Sequence, residues 1–168
     1  RRSKYILLKL DNNYTIIIHL GMTGKITISD SKNNKRRSSF YFNLYDDKPL
    51  HNHAIFQFNN GVKIIYNDVR KFGFIKVEKT KKLLQSSHLK KLGPEPLSKK
   101  FDFKYFRNFI KKKKIGLKDL LMNQNFVAGL GNIYVNEAIF LSKINPRIKA
   151  YKISNRKIND LIKNIKKL

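Results

Sequence analysis

The sequence contains no cysteine, and it holds no long apolar run. Without cysteine there can be no disulfide framework and no thiolate zinc site within these residues. No apolar stretch is long enough to cross a bilayer, and no secretory-type apolar segment occurs near Arg1. We therefore expect an intracellular, cytoplasmic protein with no membrane partner, and with no metal or cofactor bound by these residues.

Acidic residues are also scarce, with 11 Asp and Glu against 37 Lys and Arg, which gives a formal net charge of +26 over 168 residues. Such a balance predicts a polyanionic partner, either a nucleic acid or an anionic membrane surface. No basic amphipathic helix with bulky aromatics on one face is evident, which disfavours the membrane. Because the chain is rich in Lys, Asn and Ile, whose codons are AT-rich, charge alone does not identify the partner.

Residues before position 92 have the pattern of β-strands. Tyr5–Leu10 and Tyr14–Leu20 flank a short polar turn, and a second hairpin is predicted around Asn59-Asn60-Gly61. The basic segment Ser29–Asn43 interrupts this pattern, and we expect it to be a mobile excursion.

The pattern changes at Leu92-Gly93-Pro94-Glu95-Pro96-Leu97, which predicts a stiff extended connector. Helical periodicity follows it. We predict an α+β fold in which residues 1–92 form an antiparallel β-sandwich, incomplete at its N-terminal end, and residues 93–168 form a helical domain of the helix–two-turns–helix type.

The segment Gly129-Leu130-Gly131-Asn132 predicts a tight turn that leads into a helix. Glycine allows positive φ angles, and the first N–H groups of a helix have no intrahelical partner, so the turn suits a phosphate group. The alternative is a helix hairpin in which the glycines only cap and pack. The spacing alone leaves both interpretations open.

Five short motifs occur in order along the chain: Arg1-Arg2-Ser3-Lys4-Tyr5, His19-Leu20-Gly21-Met22-Thr23-Gly24, Asn67-Asp68-Val69-Arg70-Lys71-Phe72-Gly73, the 92–97 connector, and Gly129-Leu130-Gly131-Asn132-Ile133-Tyr134. In this combination the chain resembles the bacterial formamidopyrimidine-DNA glycosylases. These are base-excision repair enzymes that remove oxidised purines such as 8-oxoguanine. The resemblance implies a β-sandwich, a helix–two-turns–helix domain, and double-stranded DNA in the cleft between them.

The resemblance also implies roles for particular residues. Lys4, His19 and Asn132 match the residues that grip the phosphates flanking the lesion. Glu137 matches a carboxylate near the lesion, so Lys4 and Glu137 are the supporting catalytic candidates. Without the resemblance, His19 would more often be a structural, hydrogen-bonded histidine.

Met22, Arg70 and Phe72 match a trio that is inserted into the duplex where the flipped nucleotide was stacked. The physics agrees, because an extruded base leaves a gap that an apolar wedge can hold open. Arg70 can then hydrogen-bond to the unpaired opposite base. The alternative is that Met22 and Phe72 are ordinary core residues.

The sequence departs from the family at both ends. The family uses an N-terminal proline amine that forms a Schiff base and cleaves the strand by β,δ-elimination, whereas this chain begins at Arg1. The family's C-terminal zinc finger has no counterpart here. We expect a fragment that is inactive alone, from a monomeric bacterial protein that associates with the nucleoid and binds zinc in the missing finger.

Two alternatives stay open. One is an endonuclease eight-type glycosylase for oxidised pyrimidines, which shares the architecture but lacks the His-Leu-Gly-Met and Arg-x-Phe-Gly pair. The other is a non-catalytic nucleic-acid-binding protein, since a ribosomal protein of the small subunit also contains a helix–two-turns–helix element.

Overall fold

The computed structural model describes residues 1–30, 32, 35–37, 48–111 and 113–168. The chain divides into two compact units, one formed by Tyr5–Thr80 and the other by Arg1–Lys4 together with Lys81–Leu168. We call them the β unit and the helical unit. The predicted α+β class, with strands followed by helices, is confirmed. The domain limits 1–92 and 93–168 stay a prediction.

The β unit contains two antiparallel sheets. A three-stranded sheet has the order β1-β2-β7, and a four-stranded sheet has the order β4-β3-β6-β5. The strands are β1 (Tyr5–Lys9), β2 (Tyr14–His19), β3 (Lys25–Ser29), β4 (Lys35–Arg37), β5 (Asn52–Gln57), β6 (Lys63–Asn67) and β7 (Phe74–Lys79).

Both predicted hairpins are present, and local turn chemistry explains them. Asn13 has a φ of 65° between β1 and β2, and Gly61 has a φ of 81° between β5 and β6. Asn and Gly are the residues that tolerate this left-handed backbone. The structure differs from the expected excursion over Ser29–Asn43, because Lys35–Arg37 pairs with β3 as a strand. The parts of that segment at 31, 33–34 and 38–43 lie outside the described residues.

The helical unit contains α1 (Phe103–Ile110), α2 (Leu117–Met122), α3 (Asn132–Leu141) and α4 (Asn155–Lys167). Two of these helices begin at a residue whose side chain accepts a hydrogen bond from the first turn. Asp102 accepts from the Tyr105 N–H at 2.7 Å, and Ser154 accepts from the Lys157 N–H at 3.4 Å. These are the N-caps that fix where α1 and α4 start.

Aromatic residues dominate the core of the helical unit. The Phe126 ring lies 4.7 Å from the ring of Phe109 and 5.0 Å, edge-on, from that of Phe106 (centroid distances). Leucine and isoleucine side chains of α2 and α4 complete this core: Leu117, Leu120, Leu121, Ile158, Leu161, Ile162 and Ile165. Phe126 belongs to the segment between α2 and α3, so the core anchors the turn that leads into α3. No helix in the described part of the chain is long and apolar enough to cross a membrane.

Candidate nucleic-acid interface

Met22, Arg70 and Phe72 lie together on the surface of the β unit, and we call them the exposed trio. The Arg70 guanidinium carbon lies 4.5 Å from the centre of the Phe72 ring, and Arg70 Nη1 lies 3.8 Å from Met22 Sδ. The Met22 residue is 63% exposed and Phe72 is 55% exposed. The trio is therefore a surface cluster, and the alternative in which Met22 and Phe72 are core residues is wrong.

A close approach of two loops brings the trio together. Met22 lies on the loop between β2 and β3, whereas Arg70 and Phe72 lie on the loop between β6 and β7. Gly21 has a φ of 64°, and a Cβ atom at this position would lie 2.7 Å from both the Phe72 carbonyl carbon and the Gly73 nitrogen. Any side chain at Gly21 would push the loops apart, so glycine is required there.

A buried carboxylate lies beneath the exposed trio. Asp68 follows β6 directly and is fully buried. Its Oδ2 accepts from the Gly73 N–H at 2.8 Å and from the Tyr66 hydroxyl at 3.1 Å. Its Oδ1 accepts from the Thr23 hydroxyl and, at 3.3 Å, from the Arg70 N–H. The carboxylate thus bonds to both loops that carry the trio.

These hydrogen bonds determine the charge of Asp68. Burial raises the pKa of its carboxyl, but the donors from Thr23, Gly73, Tyr66 and Arg70 outweigh burial and hold the pKa below its usual range. Burial, together with the charge of Asp68 and its hydrogen bond, raises the pKa of the Tyr66 hydroxyl. Asp68 is therefore an anion and Tyr66 a neutral donor at neutral pH.

His19 ends β2 and packs against other aromatic side chains. Its ring stacks on that of Phe74 at 5.6 Å and lies 5.1 Å from that of Tyr5 (centroid distances). Its Nδ1 accepts a hydrogen bond from the Gly21 N–H at 3.2 Å. These contacts fix the ring and give it a structural role at the start of the loop that carries Met22. The predicted phosphate contact of His19 stays a prediction.

In the helical unit, the N-terminal residues are held by Glu95. The Arg2 guanidinium forms a salt bridge with Glu95 Oε1 at 2.7 Å, and the Ser3 N–H donates to the same oxygen at 2.6 Å. Burial raises the pKa of Glu95, but the hydrogen bonds from Ser3 and Arg2 and the charges of Arg2 and Arg1 lower it further than burial raises it. Glu95 is an anion that fixes residues 1–4 within this unit.

The turn between α2 and α3 is fixed by Gln124. Its Oε1 accepts from the Gly129 N–H at 2.8 Å and from the Ser3 hydroxyl at 3.2 Å, while its Nε2 donates to the Leu130 carbonyl at 2.9 Å. Gly129 has a φ of 99°, as the sequence predicts for a glycine in this turn. Gln124 therefore fixes both the glycine turn and the N-terminal segment beside it.

The Lys4 ammonium lies beside Gly131, the residue that precedes Asn132. Asn132 is the first residue of α3, and Gly131 caps the helix without any side-chain hydrogen bond, so the first N–H groups of α3 keep their donor capacity. The ammonium nitrogen of Lys4 would lie 3.5 Å from a Cβ placed at Gly131. Partial burial lowers the pKa of the Lys4 ammonium. A cation beside a helix N-terminus is suited to an anionic group.

Glu137 lies on the exposed surface of α3, in its second turn. It forms no salt bridge within 4.0 Å to any described residue. Glu137 therefore lies on the same helix as Asn132 but forms no ion pair with Lys4. Its predicted supporting role stays a prediction.

Sequence reasoning did not assign a role to Asp68 or Thr23, and it placed Glu95 only within the connector. The scarcity of acidic residues was one available signal for Asp68 and Glu95. The chain has only 11 Asp and Glu against 37 Lys and Arg, so each carboxylate is a candidate for a specific role. Tyr66, Arg70 and Gly73 lie within five residues of Asp68, but its bond to Thr23 spans 45 positions, and no local pattern reveals that pairing. Glu95 bonds to residues about 90 positions away.

Both halves of the chain match models of known domains. Residues 1–75 match the formamidopyrimidine-DNA glycosylase N-terminal domain, and residues 92–168 match the formamidopyrimidine-DNA glycosylase H2TH domain. The chain therefore belongs to the formamidopyrimidine-DNA glycosylase family.

Individual relatives agree. The formamidopyrimidine-DNA glycosylase of Rhodopseudomonas palustris is 38% identical over 94% of this chain and 54% of its own length. That of Ligilactobacillus salivarius is 38% identical over 98% of this chain and 55% of its own length. A crystal structure of the Lactococcus lactis enzyme, non-covalently bound to DNA containing an AP site, superposes with a TM-score of 0.83. The match is 34% identical in sequence and covers 99% of this chain and 59% of the Lactococcus lactis chain. The chain spans about half the length of the curated relatives it matches.

Proposed function

We propose that this sequence belongs to a base-excision DNA glycosylase that removes oxidised purines, such as 8-oxoguanine and formamidopyrimidines, from double-stranded DNA. The observation that carries the proposal is the exposed trio. A cation stacked on an exposed aromatic ring, with a methionine beside it, has no role in a folded core, and it suits insertion into a base stack.

The trio performs a defined task in this proposal. A glycosylase must turn its target base out of the duplex, which costs a few kcal/mol of stacking and pairing. Phe72 and Met22 fill the gap and keep the flanking base pairs apart. The Arg70 guanidinium, held 4.5 Å from the Phe72 ring centre, donates hydrogen bonds to the base left unpaired on the opposite strand.

The phosphate contacts come from both units. Lys4 and the N-terminus of α3 at Asn132 bind the backbone near the lesion, and His19 binds a phosphate from the β unit. The net charge of +26 adds an attraction that does not depend on sequence. The solved relatives support this view, since Lactococcus lactis Fpg structures include complexes with abasic-site DNA and, for one mutant, with Fapy-dG containing DNA.

The finer chemistry belongs to the same proposal. Glu137 assists near the lesion, and strand cleavage proceeds by β,δ-elimination through a Schiff base on an N-terminal proline that is not part of this sequence. This chain alone binds DNA without turnover. The described residues bring no three His, Asp or Glu side chains together, so they do not fit the zinc ion that the family resemblance places in a separate finger. The protein acts as a monomer at the bacterial nucleoid.

Excision of a defined lesion tests this proposal. The native protein that carries this sequence is incubated with a duplex containing one 8-oxoguanine, and base release is followed by mass spectrometry and strand cleavage by gel electrophoresis. Release of 8-oxoguanine, with little release of thymine glycol from a matched duplex, supports the proposal. Preferential release of the oxidised pyrimidine indicates an endonuclease eight-type enzyme, and no release from either duplex indicates a non-catalytic binder.

A further inference from the structure

We infer that Asp68 and Thr23 are positioning residues that hold the two loops of the exposed trio in the arrangement that inserts into DNA. This inference rests on the function proposed for the trio. In this inference Asp68 and Thr23 do not contact the DNA. They determine the orientation of Met22, Arg70 and Phe72.

The carboxylate of Asp68 is stabilised by neutral donors alone. It is 0% exposed, and in the described part of the chain no cation lies within 4.0 Å of it. Each of its oxygens accepts two hydrogen bonds, one from a hydroxyl and one from a backbone N–H. A buried charge without a counter-ion is costly unless such donors are all in place, so the carboxylate favours only the loop conformation that supplies them.

The two backbone donors make the carboxylate irreplaceable. The Arg70 N–H points at Oδ1, and the Gly73 N–H points at Oδ2 at 2.8 Å. A backbone N–H cannot accept a hydrogen bond. An asparagine at position 68 would direct its own NH2 group at one of these N–H groups in either amide orientation. Asp68→Asn therefore breaks the arrangement although the side chain has nearly the same size.

Thr23 connects the loops through a single oxygen. Its hydroxyl donates to Asp68 and accepts from the Arg70 N–H at 3.1 Å. Thr23 directly follows Met22, so this oxygen joins the loop of Met22 to the backbone of Arg70 on the other loop. Valine at position 23 keeps the shape but loses both bonds, whereas serine keeps both.

The trio needs such support because its own side chains pack little. Met22 and Phe72 are more than half exposed, at 63% and 55%. Their contacts with Arg70 are weak surface contacts, which hold no loop in place. Insertion into DNA is favoured when the inserting groups are held in position before binding, since less freedom is lost on binding. The hydrogen bonds of Asp68 and Thr23 supply this order.

The test compares two substitutions at Thr23 with a matched control. Dissociation constants of the full chain are measured for a duplex with one stable abasic-site analogue and for the same duplex unmodified, and their ratio gives the lesion selectivity. Thr15→Val is the control, because Thr15 lies in the same unit, is fully buried, and likewise bonds through its hydroxyl, to the Thr80 hydroxyl at 2.8 Å. Thermal unfolding midpoints are measured in parallel.

We expect Thr23→Val to lower the selectivity about tenfold, since it leaves the buried Asp68 carboxylate short of one donor and the Arg70 N–H short of one acceptor. Thr23→Ser should restore the selectivity to within about twofold of the wild type, and Thr15→Val should lower the unfolding midpoint without changing the selectivity. Asp68→Asn should lose at least as much selectivity as Thr23→Val.

Two results overturn the inference alone. One is a selective wild type with an equally selective Thr23→Val variant, and the other is an equal loss of selectivity in Thr15→Val, which would make the effect one of general stability. A wild type with no selectivity for the abasic duplex overturns the function proposed for the trio, and the inference with it.

Discussion

Replacing Phe72 by alanine should weaken binding to damaged DNA far more than it weakens the fold. The Phe72 residue is 55% exposed, so it contributes little to the core. A fully buried Phe covers about 200 Å², so about 110 Å² of Phe72 remains to be buried in the DNA. At about 25 cal/mol per Å², this burial is worth about 2.8 kcal/mol, or roughly a hundredfold in affinity for the abasic duplex.

The assay is a pair of binding titrations at fixed salt, with a stable abasic-site duplex and with its unmodified counterpart. Phe72→Ala should reduce affinity for the abasic duplex alone, because the wedge has no gap to fill in intact DNA. Phe58→Ala is the matched control, since Phe58 is 48% exposed in the same unit but lies in the β5–β6 hairpin. Equal losses for both duplexes, or equal losses in both variants, would refute the wedge.

Further expectations follow from the remaining contacts. Lys4→Ala should reduce the slope of log affinity against log salt by about 1, because one phosphate contact is lost, whereas Lys166→Ala on α4 should leave the slope unchanged. Gly129→Ala should lower the free energy of unfolding in urea by about 1 to 3 kcal/mol, because Gly129 has a φ of 99°. Gly131→Ala should change this free energy little, because Gly131 has a φ of −115°. The folded state lowers the pKa of Asp68, so the free energy of unfolding should fall as the pH drops below about 4. In Asp68→Asn this fall should be smaller. An equally steep fall in the variant would contradict the role of Asp68 in the pH dependence.

Local chemistry made most elements predictable from the sequence. The polar turn before Tyr14 and the glycine at position 61 locate both hairpins, and the glycine turn at 129–131 directly precedes α3, as predicted. The capping residues Asp102 and Ser154 mark the starts of α1 and α4. Each of these signals lies within a few residues of the feature it determines.

Pairings between distant parts of the chain were beyond sequence reasoning. Nothing local assigns β7 to the sheet of β1 and β2, or joins Arg1–Lys4 to the helical unit through Glu95. The β4 strand was also missed, because Lys35–Arg37 is too polar to read as a strand and forms one only by pairing with β3. The family resemblance grouped Met22 with Arg70 and Phe72, but the approach of Met22 depends on the two loops that meet at Gly21.

The most direct test of the central claim is a structure of the protein bound to a duplex that contains one stable abasic-site analogue. The account predicts the Phe72 ring between base pairs beside the abasic position, with Met22 in the vacated space and the Arg70 guanidinium on the opposite base. DNA bound at another surface, with Met22, Arg70 and Phe72 left in solvent, would contradict it.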